Sequence, residues 1–257
     1  MKVITVHSFK GGTGKTNIIA SISFALASAG YKVGVVDSDM AHPSLHIIYG
    51  MGNQPPHPTL TEFLLGKCES TEIVHDVSPE YGFKNKLYLI PSNLNEEIIT
   101  KIVREGFEIG HMFRGLKEIG RKKNLDVLLI DTKPGLDEKT MLFFMMTDAL
   151  FIVMRNDEAD IRGTMELLKI IAHFKVPIKY IIPNMIESSH IENVNNELKK
   201  LFKKDDVIIA SSLPYSSKLA MEHSPHIDKL FISKYPDDPF SKSILKLRDM
   251  TTQKMGI

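Results

Sequence analysis

The chain has 257 residues, of which 43% are hydrophobic and 25% charged, and its formal net charge is +1. This length predicts one α/β domain spanning residues 1–257. It is long enough for one large domain with a well-buried core and too short for two such domains. The net charge neither requires nor excludes nucleic acid as a partner. The single cysteine, Cys68, excludes an internal disulfide framework and a cysteine pair for a metal or cluster.

The apolar stretches of the sequence are short. None reaches 18 uninterrupted residues, so no membrane span is expected. The first apolar run, Val3 to Val6, is too short for a signal peptide and leads directly into a loop with its own chemistry. Together with the lone cysteine, these features predict a cytoplasmic protein.

Short apolar runs alternate with longer helical stretches, a pattern that predicts βαβ units and a parallel sheet. The predicted strands are Lys2–His7, Lys32–Asp37, Lys86–Ile90, Leu125–Asp131, Ala149–Met154, Ile178–Pro183 and Val207–Ala210. The predicted helices are Thr16–Ala29, Leu60–Leu65, Glu96–Lys123 (broken at its glycines), Glu138–Met146, Ile161–Phe174, Ile191–Lys203 and Ser241–Thr252. The expected fold class is α/β, with three layers and helices on both faces of a mostly parallel twisted sheet.

A glycine-rich loop, Ser-Phe-Lys-Gly-Gly-Thr-Gly-Lys-Thr at residues 8–16, follows the first predicted strand and precedes the first helix. Glycines let successive N–H groups face one anion, and the start of the helix adds positive charge. Lys15 is placed to reach the β- and γ-phosphates of a nucleotide, and the Thr16 hydroxyl to bind Mg²⁺. The loop therefore predicts a site for ATP or ADP with Mg²⁺. Its departure from the general pattern is Phe9, which stands where glycine is expected.

Carboxylates end two other predicted strands. Asp37 and Asp39 follow the second strand and point the same way, and Asp131 ends an apolar strand in the manner of a Walker B magnesium ligand. Because parallel strands carry their carboxyl ends to one edge, we expect these residues to meet the glycine-rich loop there. Asp37 is interpreted either as support for the magnesium shell or as a residue that holds the loop.

The run from Lys10 to Thr16 resembles the deviant Walker A motif of the ParA/MinD family of P-loop ATPases, which carries an additional lysine early in the loop. The resemblance implies that Lys10 reaches the nucleotide of a partner subunit. It further implies that Asp39 positions the attacking water and contributes to the magnesium site partly through water, so Lys10, Lys15 and Asp39 are the expected catalytic residues. The nucleotide contacts expected in this segment are Lys10, Gly11, Gly12, Thr13, Gly14, Lys15, Thr16 and Asn17, and the expected magnesium ligands are Thr16, Asp39 and Asp131.

The resemblance extends to the adenine end of the site. Asn184 matches a family asparagine that contacts adenine, and Pro214 and Tyr215 match a segment that lines the base pocket. Residues 217–225 match a short helix and turn of MinD-like members. Met185 and Lys133 depart from the family, Met185 replacing a basic residue and Lys133 a proline of switch II.

The family resemblance implies a slowly hydrolysing ATPase whose ATP-bound homodimer acts as a switch in positioning or partitioning DNA or a cellular assembly. An activating protein partner is expected. DNA is kept as an alternative working surface, since two basic clusters are candidates for binding it: Lys117/Arg121/Lys122/Lys123 and Lys199/Lys200/Lys203/Lys204. A membrane is kept as a second alternative, because the amphipathic C-terminal helix is of the kind that can lie on a membrane surface. Packing of that helix on the sheet is favoured.

Two other functions fit the same fold. One is a small-molecule phosphotransferase or ligase resembling dethiobiotin synthetase, in which Lys10 and Asp39 would act on a small substrate. The other is a nucleotide-binding adaptor with little hydrolysis. Under this hypothesis, Asn17 and Lys133 depart from the family because the chain has drifted from a catalytic ancestor. A metal site at His42 and His46, on one face of a helix after Asp39, is weighed and not favoured.

Overall fold

The computed structural model describes residues 1–84, 86–93, 109–221 and 230–257. Within these ranges a sheet of eight strands forms the centre, and every strand except β3 runs parallel to its neighbours. The strands are β1 (Lys2–His7), β2 (Val33–Asp37), β3 (His75–Asp76), β4 (Leu87–Ile90), β5 (Val127–Asp131), β6 (Ala149–Arg155), β7 (Ile178–Asn184) and β8 (Ile208–Ile209). The mostly parallel sheet expected from the βαβ pattern is confirmed.

The strand order is β3-β4-β2-β5-β1-β6-β7-β8. β5 therefore lies between β1 and β2, with Asp131 opposite Val6 on one side and opposite Asp37 on the other. At the same edge, Arg155 of β6 pairs with Asn184 of β7. The carboxyl ends of these strands form one continuous edge, which is where open α/β sheets bind ligands.

Helices cover both faces of the sheet and complete the three layers. They are α1 (Lys15–Ser28), α2 (Leu45–Ile48), α3 (Leu60–Leu64), α4 (Ile109–Lys123), α5 (Glu138–Leu142), α6 (Glu158–Ile171), α7 (Ile191–Leu201), α8 (Ser217–Met221), α9 (Phe231–Lys234) and α10 (Pro239–Met255). Short 3₁₀ turns lie at Pro79–Tyr81, Phe143–Met146 and Ser188–His190.

Successive strand residues enter different hydrophobic clusters, because side chains alternate across a strand. On β2, Val35 packs in a cluster with residues of α1 and α10, whereas Val36 packs with residues of α3 and α4. Farther along the second face, Leu150 and Ile181 pack with residues of α6 and α7. Both faces are thus buried, which explains the continuous apolar runs in the sequence.

The C-terminal helix α10 packs against the sheet layer. Phe240, Ile244 and Leu247 are at most 3% exposed and belong to the cluster that contains α1. Asp238 starts the helix by accepting a hydrogen bond from the Phe240 N–H. The apolar stripe is therefore used inside the fold, as favoured from the sequence. Among the described residues, no helix has the length and apolar character needed to cross a bilayer.

One helix begins earlier than predicted. α6 starts at Glu158 instead of Ile161, because the Asp157 side chain accepts a hydrogen bond from the Asp160 N–H and caps the helix. The apolar periodicity begins only at Ile161, so the polar first turn carried no hydrophobic signal.

Other differences concern short elements. The edge strand β3 (His75–Asp76) was not predicted, since two residues show no alternation, and β8 is shorter than the predicted Val207–Ala210. The predicted helix Glu138–Met146 is α5 followed by a 3₁₀ turn. The predicted Glu96–Lys123 helix includes α4, and its part before residue 109 lies outside the described residues, as does the end of the predicted turn at 217–225, beyond α8.

Candidate functional site

The predicted phosphate loop lies between His7, where β1 ends, and Lys15, where α1 begins. Gly12 and Gly14 have φ angles of 73° and 88°, a left-handed backbone that glycine adopts readily. Gly14 is also the N-cap of α1, and a Cβ at this position would overlap Asn184 Nδ2. Both the backbone angle and the space available therefore require glycine at residue 14.

Asn184, the last residue of β7, anchors this loop. Its Nδ2 donates a hydrogen bond of 2.8 Å to the Thr13 carbonyl, and the side chain is buried. The sequence predicted an adenine contact for Asn184. The structure shows that the amide nitrogen holds the loop, while the residue also lines the adjacent cavity.

Lys15 is the cation at the centre of the loop. It is 8% exposed, and burial lowers the pKa of its ammonium, while the nearby Asp131 and Asp39 act in the opposite direction. The structure thus brings these three predicted site residues into electrostatic contact at the sheet edge. A buried ammonium near carboxylates is suited to hold the charge of a phosphate group.

Asp131 is buried beside Lys15 and Thr16. Burial raises its pKa to about 6, although the Lys15 charge and a hydrogen bond with the Thr16 hydroxyl lower it. Asp131 Oδ1 has no hydrogen-bond partner among the described residues. A hydroxyl and a carboxylate oxygen without a donor are hard ligands of the kind that Mg²⁺ prefers, so the residues present fit this ion.

The two aspartates where β2 ends, Asp37 in the strand and Asp39 after it, take different places. Burial raises the pKa of Asp37 to about 7. Its Oδ2 accepts hydrogen bonds from the Ser44 and Leu45 N–H groups at 2.9 and 3.0 Å, and its Oδ1 accepts one from the Asp39 N–H at 3.2 Å. Asp37 therefore holds the segment that leads into α2. Asp39 is half-buried, and its charge acts on Lys15 of the phosphate loop.

Phe9, the departure from the general loop pattern, packs against α6. A Cβ at Gly163 of that helix would overlap the Phe9 ring, so the ring occupies the space that a side chain would need. The bulky residue in the loop and the missing side chain on the helix are complementary. Their contact fastens the loop to the start of α6.

Lys10 lies beside the first turn of α6. Its Nζ is 3.6 Å from Asp160 Oδ1 and 3.8 Å from Asp157 Oδ1, and its side chain is 36% exposed. In the single chain, the amine is therefore held by carboxylates of the same molecule. The reach into a partner subunit, expected from the sequence, stays a prediction.

His7 was missed by the sequence analysis. Its Nδ1 lies 2.8 Å from Thr132 Oγ1, and that hydroxyl also lies 2.8 Å from the Val6 carbonyl, to which it donates. Burial, with the Lys15 charge second, lowers the pKa of His7 to about 3. A neutral imidazole thus links β1 to the segment after β5. The available signal was a polar residue ending a buried strand immediately before the loop.

A cavity of about 270 Å³ opens beside the loop. Five predicted nucleotide contacts line it, and the complete lining is Gly14, Asn17, Asn184, Met185, Pro214, Tyr215, Ser216, Leu219, Ala220 and Phe240. The Tyr215 N–H donates to the Ile186 carbonyl at 2.8 Å, which ties the two lining segments together. A mostly apolar wall with a few amide and hydroxyl groups suits a planar base.

The histidine pair weighed as a metal site does not form. His46 lies on α2, but this helix begins at Leu45, so His42 is outside it and the expectation of one shared helix face is wrong. Among the described residues, no group of His, Cys, Asp and Glu side chains is arranged to hold a metal ion by itself.

Comparisons with known proteins show which family this chain resembles. A family model described as an AAA domain matches residues 1–183. The flagellum site-determining protein YlxH of Helicobacter pylori is 31% identical over 261 residues, an overlap that covers 99% of this chain and 83% of that protein.

Two solved structures show the same fold. A chain of the MinC:MinD cell division protein complex of Aquifex aeolicus matches with a TM-score of 0.81 at 20% identity, covering 98% of this chain and 96% of that one. MinD of Pyrococcus horikoshii, complexed with Mg-ADP, matches with a TM-score of 0.78 at 21% identity, covering 99% and 97%. With the loop sequence, the matched family model and the relative aligned over nearly the whole chain, the chain belongs to the ParA/MinD family of P-loop ATPases.

Proposed function

We propose that this chain binds ATP with Mg²⁺, hydrolyses it slowly, and forms an ATP-dependent homodimer that acts as a switch. The observation that carries the proposal is the meeting of Lys15, Thr16 and Asp131 at one edge of the sheet. A buried cation, a hydroxyl and a carboxylate oxygen without a donor form a site for a phosphate bound to a hard divalent ion.

The phosphates lie on the N–H groups of residues 10–16 at the start of α1, and Lys15 neutralises their charge. The base enters the 270 Å³ cavity between Asn17 and Tyr215. Thr16 and Asp131 would hold Mg²⁺, and Asp39 would contribute to the same magnesium site. When bound, the ion supplies positive charge to the phosphate oxygens.

Hydrolysis rests on two further residues. Asp39, whose charge acts on Lys15, orients the attacking water. Lys10 lies on the side of the loop next to α6, and we propose that it serves the nucleotide of the second subunit. A cation supplied in trans makes charge stabilisation depend on dimer formation.

The name of the Helicobacter pylori relative suggests the output, since that protein determines flagellum sites. We propose that this chain positions a cellular assembly and that a protein partner stimulates its hydrolysis. DNA is the alternative working surface, because the apolar stripe of α10 that would bind a membrane packs inside the fold. The two basic clusters named from the sequence are largely exposed, as DNA binding would require.

The test is light scattering after gel filtration of Asp39→Ala with Mg²⁺ and either ATP or ADP. We expect a dimer with ATP and a monomer with ADP. Lys10→Ala in the same background should bind ATP and stay monomeric. A chain that remains monomeric while ATP is demonstrably bound would contradict the switch.

Measurements of hydrolysis distinguish the proposed switch from the two other functions. Turnover raised about a hundredfold by a small acceptor, without any protein partner, would favour a phosphotransferase or ligase. Hydrolysis that stays undetectable in the presence of DNA, lipid vesicles and cell extract would favour an adaptor.

A further inference from the structure

A groove of about 810 Å³ lies at the edge of the sheet opposite to the phosphate loop. Its lining comes from the start of β1, from α4 and the residues that follow it, and from the 3₁₀ turn Phe143–Met146. Val3, Leu125 and Asp148 place it at the amino ends of β1, β5 and β6. None of the residues predicted to bind nucleotide or magnesium lines this groove.

Large apolar side chains are exposed in the groove. Among the described residues, seven large hydrophobic side chains are exposed, and four of these lie at two concave sites. Met185 and Tyr215 line the base cavity, whereas Met1 and Met145 line the groove, where Met145 is 68% exposed. Phe113 adds an aromatic ring to the same lining. Because methionine side chains are flexible and polarisable, such a surface adapts to an apolar partner.

Two cations of α4 border this apolar surface. Lys117 and Arg121 are one helical turn apart, and neither forms an ion pair with a carboxylate of the described residues. The next two cations of the helix are engaged elsewhere, since Lys122 Nζ lies 3.1 Å from Glu118 and Lys123 lies over an aromatic ring. The groove therefore contains the two members of this basic cluster that have no partner within the described part of the chain.

The apolar and the charged parts form one surface. A Cβ at Gly120 would overlap the Met1 sulfur, so this thioether lies against α4 between the two cations in sequence. The carboxylate in the lining, Asp148, accepts a hydrogen bond of 2.7 Å from the Val3 N–H. The groove thus presents apolar side chains flanked by positive charge.

We propose that this groove binds an amphipathic helix of a partner protein, whose apolar face lies on Phe113 and Met145 and whose acidic residues face Lys117 and Arg121. Grooves that bind helices take apolar anchors at helical spacing. Carboxylates one turn apart on the partner match the two cations one turn apart on α4. The inference does not rest on the proposed switch, because the groove and the nucleotide site lie at opposite edges of the sheet.

The apolar lining favours a protein helix over DNA. DNA binding rests on contacts between cations and phosphates, which leave thioether and aromatic surface unused. An acidic amphipathic helix uses both parts of the groove, since apolar burial supplies affinity and opposite charges set its register.

The experiment uses peptides as probes. They are selected on the parent chain from a phage-displayed random library of about 16 residues, which is long enough for about four helical turns. Their binding is then measured by fluorescence anisotropy to Met145→Ser and Lys117→Glu. The matched controls are Leu201→Ser, an exposed apolar residue at the end of α7, and Lys122→Glu on α4, because neither residue lines the groove.

We expect the selected peptides to carry acidic residues beside apolar residues at helical spacing. Their dissociation constants should rise about tenfold with Met145→Ser, since an exposed apolar contact is lost. Lys117→Glu should raise them about five- to tenfold, because an attraction becomes a repulsion. The two control variants should bind like the parent.

Methyl NMR of the methionines locates the bound peptide. The peptide should shift the signals of Met145 and Met146 and leave that of Met185 unchanged, whereas ADP should shift Met185, which lines the base cavity. A peptide that shifts Met185 and not Met145 binds the base cavity and overturns the inference.

Three further results would also overturn it. The first is a selection that yields no peptide sensitive to Met145→Ser or Lys117→Glu. The second is a mixed-sequence DNA duplex that binds the parent, loses affinity equally with Lys117→Glu and Lys122→Glu and is unaffected by Met145→Ser, which would assign the cations to DNA. The third is self-association of the nucleotide-free chain that Met145→Ser abolishes, because a second copy would then cover the groove. Each of these results leaves the proposed ATP-dependent switch untouched.

Discussion

The Phe9 ring and the Cα of Gly163 are in close contact, with the ring in the volume that a side chain at residue 163 would occupy. The two residues are far apart in the sequence, yet together they set how the phosphate loop meets α6. Phe9, the residue of the loop that departs from the general glycine pattern, is therefore matched by the missing side chain at Gly163 of α6. Lys10 is the next residue in the loop.

Gly163→Ala tests this contact through stability. We expect a loss of about 1–3 kcal/mol in the free energy of unfolding, since an added methyl group would force the ring to shift. Alanine in a helix otherwise stabilises over glycine by about 1 kcal/mol. In a Phe9→Ala background the space is free, and the same substitution should stabilise. Urea denaturation is measured for the parent, Gly163→Ala, Phe9→Ala and the double variant. If Gly163→Ala changes stability with the same sign in both backgrounds, the result contradicts the contact.

Much of the fold could be predicted because it follows from local pattern. Continuous apolar runs predicted the long strands, and the glycines of the loop, with Lys15 and Thr16, predicted a phosphate site between β1 and α1. The shared carboxyl edge of parallel strands predicted that Asp131 lies near the loop, and the register places Asp131 opposite Val6 at the end of β1.

The rest of the site depends on contacts between distant segments. Nothing local in the sequence shows that Gly163 receives Phe9, or that Asp160 lies beside Lys10, because both contacts arise from the docking of α6 on the loop. Asp37 and Asp39 are chemically identical and stand on either side of Ser38, where β2 ends. Only the backbone N–H groups around Asp37 reveal that it holds a loop.

Asn184→Ala should weaken nucleotide binding. The substitution leaves the buried Thr13 carbonyl without its donor, a loss of about 1–3 kcal/mol that falls on the loop. We expect the affinity for ADP, measured by calorimetry, to fall about tenfold. Ser78→Ala is the matched control. It removes a buried hydroxyl that accepts backbone hydrogen bonds from Lys86 and Leu87, at the end of the strand away from the site. Equal ADP affinities for the two variants would argue against the anchoring role.

Asp131→Asn should uncouple nucleotide binding from Mg²⁺. The carboxylate oxygen without a donor is the group proposed to hold the ion, so its replacement should reduce the gain in ATP affinity that Mg²⁺ provides by about 10- to 100-fold. Affinity for ATP without Mg²⁺ should not fall, since a negative charge near the phosphates is removed. Asp148→Asn serves as control, because this carboxylate accepts the Val3 N–H at the opposite edge of the sheet. An unchanged magnesium dependence in Asp131→Asn would remove Asp131 from the site.

His7 makes stability depend on pH in a defined direction. Its pKa is about 3 in the folded chain and 6.5 for an ordinary imidazole, so between these values the unfolded chain binds the additional proton. The contribution of His7 to stability is therefore complete above pH 6.5 and is lost as the pH falls toward 3. Because His7→Gln cannot take up this proton, the parent should lose about 1–2 kcal/mol relative to that variant between pH 7.5 and pH 5, given about 1.4 kcal/mol per pH unit. Urea denaturation at both pH values measures the difference, with His173→Gln on the exposed surface as the control for loss of an imidazole. If the parent and His7→Gln respond identically to pH, the imidazole is not kept neutral by burial beside Lys15.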